Sequence, residues 1–190
     1  MIDVTKEDLF PTSIFHTKIN EDILLDIKKI VEREKQNWKK GLHNIKAKTS
    51  GWEGLKYPPV REIANLCCET ILPSISKESG WGCDMWSCQE AWINVYQKGD
   101  YANYHTHFGT DYCCVLIIQS GESNLKFHDP KEVTSMYKFF EIKEEKILNE
   151  EEGILLFFPS WLGHSVTKCK KERITAAFNF KANLSTLTKE

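Results

Sequence analysis

The chain has no apolar run of the roughly 20 residues that a membrane span requires. Its most apolar short segment, Gly153-Ile-Leu-Leu-Phe-Phe-Pro159, reads instead as a buried strand. It has no excess of either charge: 25 basic residues face 27 acidic ones, a net charge of −2. That balance leaves no electrostatic footprint for a nucleic-acid backbone or an anionic membrane. The first residues, Met1 to Asp8, lack the basic start and apolar core of a signal peptide. The seven cysteines are odd in number, include the adjacent pairs Cys67-Cys68 and Cys113-Cys114, and nowhere show a CxxC spacing. They read as free thiols of a reducing, cytoplasmic compartment, with either Cys113 or Cys114 expected to point inward as a packing residue. No repeat, low-complexity tract or linker divides the sequence. What remains is a globular composition, 41% hydrophobic and 27% charged over 190 residues, expected to form one domain spanning 1–190.

Leu9–Phe15 reads as an opening strand, and Asn20 as the cap of a helix whose first turn carries Glu21 and Asp22. Ile23, Ile27, Ile30, Val31, Glu34 and Trp38 form its inner stripe, apolar except for Glu34. From Gly41 to Pro59 periodicity fails, leaving a long loop that bears Trp52 and His43 and reads either as a lid or as irregular packing. A second helix is expected from about Val60 to Leu72, stopping at Pro73. After Trp81 the character changes to short strand-like segments: Met85–Gln97, Tyr101–His107, Tyr112–Gln119, Leu125–His128, Met136–Ile142, Gly153–Pro159, His164–Cys169 and Arg173–Lys181. Eight short strands with turn signals between them indicate a β-sandwich or barrel. The expected fold is therefore mainly β: a jelly roll over 81–181, with a helical part, 1–80, packed on one sheet.

The chemistry concentrates in Ala91–His107, which ends Tyr-His105-Thr-His107. On a strand, residues i and i+2 share a face, so both imidazoles can converge on one point. Two imidazoles make half a metal site, and His164, just after a buried strand and a turn, is the candidate for the rest. Arg173, Thr175, Ala177 and Asn179 share one strand face, opposite Ile174, Ala176, Phe178 and Phe180. A guanidinium opening an otherwise small-residue face costs several kcal/mol to bury unless an anion pairs with it. A carboxylate ligand would supply that bidentate partner, and the Thr175 hydroxyl one further bond. His128 reads as a strand-end residue at the rim, and His16 as a surface residue.

Three segments, Trp92–His107, Leu125–Pro130 and Leu156–Asn179, closely resemble the 2-oxoglutarate/Fe(II) oxygenase family of bacteria and phages, and Leu9–Ile14 resembles that family's start. The resemblance implies a double-stranded β-helix, Fe(II) and 2-oxoglutarate as cofactors, and hydroxylation of a substrate; the sequence leaves that substrate open among a small molecule, a peptide side chain, a nucleotide and a sugar. It implies His105 and His164 as the first and last metal ligands, and Arg173 with Thr175 as the clamp on the distal carboxylate of 2-oxoglutarate. Asn94, Tyr104 and Tyr112 are candidates for further hydrogen bonds to that cosubstrate. One departure stands out: the usual set is His-x-Asp/Glu…His, and here His107 occupies the carboxylate position. Same-face spacing favours His107 as a third imidazole ligand, with Asp111 or Asp129 as alternative carboxylates. Two other readings fit the same residues: a cupin-like three-His iron dioxygenase that does not use 2-oxoglutarate, and a non-catalytic jelly-roll binding module.

Overall fold

The computed structural model of the chain describes residues 11–41, 44–130, 145–147 and 150–183. The expected strand Met136–Ile142, the first residues of the expected opening strand and His43 lie outside them. Two antiparallel sheets face each other. The larger runs β1 (Phe15–Lys18), β10 (Ile154–Pro159), β7 (Tyr112–Gln119), β12 (Arg173–Ala182), β5 (Trp86–Tyr96), β4 (Lys48–Thr49) and β2 (Lys39–Lys40) in spatial order. The smaller runs β3 (Ile45–Lys46), β6 (Tyr101–His105), β11 (His164–Val166), β8 (Leu125–His128) and β9 (Glu145–Ile147). This is a double-stranded β-helix with few helices.

Period-2 alternation divides the core in two. Tyr96, Cys113, Leu125, Phe127, Phe158 and Leu162 are among the residues packed between the sheets. Ile93, Val95, Cys114, Leu116, Ile174 and Phe178 point the other way, into a second cluster against the helices. Helix α1 (Glu21–Glu34) begins as expected, with the Asn20 Oδ1 accepting from the Asp22 amide at 3.0 Å. It buries Leu24, Ile27, Ile30 and Val31. Glu34 joins that stripe because Tyr57 Oη donates to its carboxylate at 3.0 Å.

Pro73 does not end the second helix. Helix α2 (Pro58–Leu66) passes through a π-helical turn, Cys67–Ile71, into α3 (Leu72–Glu78). Pro73 thereby falls in a first turn, where a missing N–H leaves no intrahelical bond unmade. The opening strand lies later than expected, at Phe15–Lys18, paired to β10. The segment expected as a loop, 41–59, contributes strands to both sheets: β3 pairs with β6, and β4 pairs with β5 and β2. The N-terminal part is therefore stitched into the jelly roll rather than merely packed on it. All seven cysteines are free thiols.

Candidate metal centre

Two neighbouring strands of the smaller sheet, β6 and β11, carry His105 and His164. β11 lies between β6 and β8, and His164 pairs directly with His105 on one side and Phe127 on the other. β6 ends at His105, so His107 is not on a strand as the spacing argument assumed. It is held by its own amide, which donates to the Ser160 carbonyl at 2.9 Å, just ahead of β11. The convergence survives for that reason. The ring nitrogens offered by His105, His107 and His164 all lie within 4.8 Å of one another.

Each ring is oriented. His105 Nδ1 lies 2.7 Å from the Asn103 carbonyl, and His164 Nδ1 lies 2.9 Å from that of Leu162. A carbonyl only accepts, so each Nδ1 carries the proton and each Nε2 keeps its lone pair for a metal. His107 stacks on Trp92, with centroids 5.9 Å apart and planes at 18°, and Asn179 beside it favours its protonated form, though less than burial opposes it. The Asn179 amide in turn donates to Glu90 at 2.9 Å, and the Cys113 thiol donates to the Asn179 oxygen at 3.2 Å. Phe158 closes against His164 edge-on at 4.8 Å. Burial disfavours the imidazolium at every position: His105 and His164 titrate below the usual range, and His107 is pushed down to about 4 by burial and by the nearby His105. The cluster is thus held as neutral imidazoles, the form that binds metal.

Arg173 lies on β12 with no exposed surface. Gly121, at φ +65°, passes so close that a Cβ there would come within 2.5 Å of the Arg173 Cβ. Arg173 Nη1 donates to the Ser120 carbonyl at 3.1 Å and to Ser123 Oγ at 3.4 Å, and it forms an ion pair with Glu150. The other Glu150 oxygen accepts the Leu125 amide. Nε and Nη2 are buried with no hydrogen-bond partner among the described residues. Those two atoms form the side-on edge of the guanidinium, the edge that takes a carboxylate bidentately. Arg173, Thr175 and Asn179 line a cavity of about 40 Å³ together with the three histidines. A wider cleft of about 710 Å³ adjoins it at His105, His107, Trp92 and Asn179, with Trp52 at its rim. Arg173, with its orphaned edge, lines one cavity with three oriented imidazoles, and that combination fits a metal-chelating acid with a second, distal carboxylate.

The remaining candidates divide. Asn94 pairs in register with Thr175 and faces the wider cleft, its Oδ1 buried and unpartnered. Tyr112 is turned the other way. It sits on the helix side of β7 against Trp81 and Trp86, at 5.1 and 6.3 Å, and burial pushes its phenol up to about 12. Tyr104 also leaves the site: it is 60% exposed, meets His128 edge-on, and its ring lies where a Cβ of Gly163 would approach within 2.3 Å. Asp111 is engaged elsewhere, accepting from Lys181 Nζ at 3.0 Å and the Ala182 amide at 2.9 Å. Asp129 is exposed and outside the cluster. His128 bonds Ser165 Oγ at 3.0 Å, and His16 is exposed on β1. Sequence reasoning missed Glu150 and Glu90. Glu150 opens a run of three glutamates that reads as a solvated face.

Three convergent imidazoles and a buried, half-free arginine in a jelly roll make a candidate metal centre with an anion site beside it. Residues 90–179 match the family model described as "Putative 2OG-Fe(II) oxygenase". Among solved structures it resembles a Pseudomonas putida prolyl-4-hydroxylase (13% identity, 90% of this chain and 94% of that one, TM-score 0.67). It also resembles a Trichoplax adhaerens prolyl hydroxylase in complex with a hypoxia inducible factor peptide fragment (10%, 89% and 83%, TM-score 0.64). HygX of Streptomyces hygroscopicus with nickel and 2-oxoglutarate bound is similar as well (8%, 91% and 84%, TM-score 0.62). At these identities the likeness is one of fold. No curated protein matches the chain. Among the described residues, no helix is long and apolar enough to cross a membrane.

Proposed function

We propose that His105, His107 and His164 hold Fe(II), and that Arg173 and Thr175 hold the distal carboxylate of 2-oxoglutarate, in an oxygenase that hydroxylates a C–H bond of its substrate. Fe(II) and 2-oxoglutarate supply the oxidising chemistry, with decarboxylation of the cosubstrate to succinate and CO₂ and use of O₂. The chain supplies the rest. His105 and His164 present Nε2 because backbone carbonyls hold their Nδ1 protons. The Glu90–Asn179 pair orients His107 from behind, a carboxylate one step removed from the ring rather than on the metal. Phe158 and Trp92 exclude water around the rings, and Asn94 offers a carbonyl oxygen at the mouth of the site. Substrate reaches the metal through the cleft beneath Trp52.

The observation that carries this reading is the unpaired Nε/Nη2 edge of Arg173 in the cavity it shares with the three imidazoles. It also favours a 2-oxoglutarate enzyme over a three-His dioxygenase without cosubstrate, which has no use for that edge. The test is Fe(II)-dependent release of succinate from 2-oxoglutarate by the purified protein in air. Succinate formation that requires iron, and is lost in His164→Ala, supports the reading. Iron binding with no 2-oxoglutarate binding or consumption would hand the site to the other dioxygenase chemistry.

A further inference from the structure

The contacts of Arg173 are divided unevenly. Nη1 is fully occupied by Glu150, the Ser120 carbonyl and Ser123 Oγ, while Nε and Nη2 have no partner among the described residues. The two charged side chains are equally withdrawn from water, with 0% of Arg173 and 1% of Glu150 exposed. Glu150 reaches the site from the segment ahead of β10, and its second oxygen is tied to the Leu125 amide at the start of β8. An incoming carboxylate can therefore take the free edge without displacing Glu150. Arg173 would then lie between two carboxylates, one belonging to the protein and one to the ligand.

We infer that Glu150 is a resident counter-anion that sets the affinity of the site for the dicarboxylate cosubstrate. This rests on the 2-oxoglutarate reading above. In the empty protein Glu150 neutralises a buried cation that would otherwise be unpaired. Together with Ser120 and Ser123 it also fixes the guanidinium so that the Nε/Nη2 edge is presented to the cavity. In the loaded protein the same negative charge opposes the cosubstrate's distal carboxylate. Affinity is thereby traded for a site that stays folded and oriented while empty. Removing the charge while keeping the acceptor oxygen should reverse the trade.

Glu150→Gln makes that change, and Glu150→Asp, which keeps the charge but draws it back by one methylene, is the milder companion should the glutamine variant not fold. The ligands are 2-oxoglutarate and 2-oxopentanoate, a five-carbon oxoacid without the distal carboxylate, titrated calorimetrically into protein loaded with Mn(II). Glu150→Gln should melt at a lower temperature than wild type when empty. It should bind 2-oxoglutarate on the order of tenfold tighter or more, since like charges inside a buried site interact on the kilocalorie scale. Its affinity for 2-oxopentanoate should match wild type, and Glu150→Asp should fall between the two proteins for 2-oxoglutarate. Wild-type binding of 2-oxoglutarate with no gain in either variant overturns the inference alone. An equal gain for both oxoacids also overturns it, because the effect would not run through the distal carboxylate. No 2-oxoglutarate binding by any form overturns the cosubstrate reading and this inference with it.

Discussion

Replacing Arg173 tests the cosubstrate clamp at its most exact point. Arg173→Ala removes both donors of the free edge, and truncating one partner of a buried, bidentate charge pair costs about 2–5 kcal/mol of binding. At ~1.4 kcal/mol per tenfold, that is a factor of about 30 to several thousand in the dissociation constant for 2-oxoglutarate. The same change strands the Glu150 carboxylate at 1% exposure, so the empty protein should also lose about 3–5 kcal/mol of stability. Arg173→Lys separates the two effects. An ammonium still compensates Glu150 but cannot present the planar fork, so most of the stability should return while the affinity recovers only in part. Iron affinity without cosubstrate should change little in either variant. The assay is calorimetric titration of 2-oxoglutarate into Mn(II)-loaded protein, with thermal melts of the empty forms alongside. Equal affinity for 2-oxoglutarate in wild type and Arg173→Ala would refute the clamp.

Three further outcomes follow from the centre's geometry. His107→Ala should weaken metal binding more than Asp111→Ala does, because the Asp111 carboxylate is held by Lys181 and the Ala182 amide; His107→Asp, which restores the common ligand set, should keep iron bound. Asn179→Leu and Glu90→Gln, which break the chain behind His107, should each lower metal affinity about 10- to 100-fold, as the loss of an outer-sphere partner does, measured by competition with a chromophoric chelator. The lowered histidine pKa values make the metal-free fold pH-sensitive in one direction. In the unfolded chain the imidazoles take up protons near pH 6.5, whereas folded His107 resists until about 4. Stability is therefore fully present above pH 6.5 and falls as the pH drops toward 4, which denaturant midpoints measured across that range would record; an unchanged midpoint would contradict the burial of neutral rings.

The functional face was legible in the sequence where alternation is clean. Arg173, Thr175 and Asn179 stand out against Ile174, Ala176 and Phe178 because the polar residues of β12 share one face, interrupted only by Ala177. The structure sends the apolar three into the helix-side core and the polar three to the cavity beside the histidines. Tyr112 was misplaced for the opposite reason. Tyr112-Cys-Cys-Val-Leu-Ile-Ile118 is apolar on both faces, so a strand buried on both sides does not announce which face is inner. The histidine cluster was readable from its residue types, yet the strand that justified it stops at His105, and the Ser160 carbonyl does the remaining work. Glu150 could not be found by pattern, since only the three-dimensional path of the chain draws it out of the Glu150–Glu152 run to Arg173. Pro73 misled because a π-helical turn, which has no simple sequence signal, moved it from a stop to a first turn.

The most direct test of the three-imidazole centre is anaerobic Fe(II) titration with metal content measured per chain, on wild type, His105→Ala, His107→Ala and His164→Ala. Wild type should take up one iron per chain. His105→Ala and His164→Ala should take up none tightly while keeping their circular dichroism spectra, and His107→Ala should bind weakly. One tightly bound iron per chain in both His105→Ala and His164→Ala would place the metal elsewhere and contradict the centre described above.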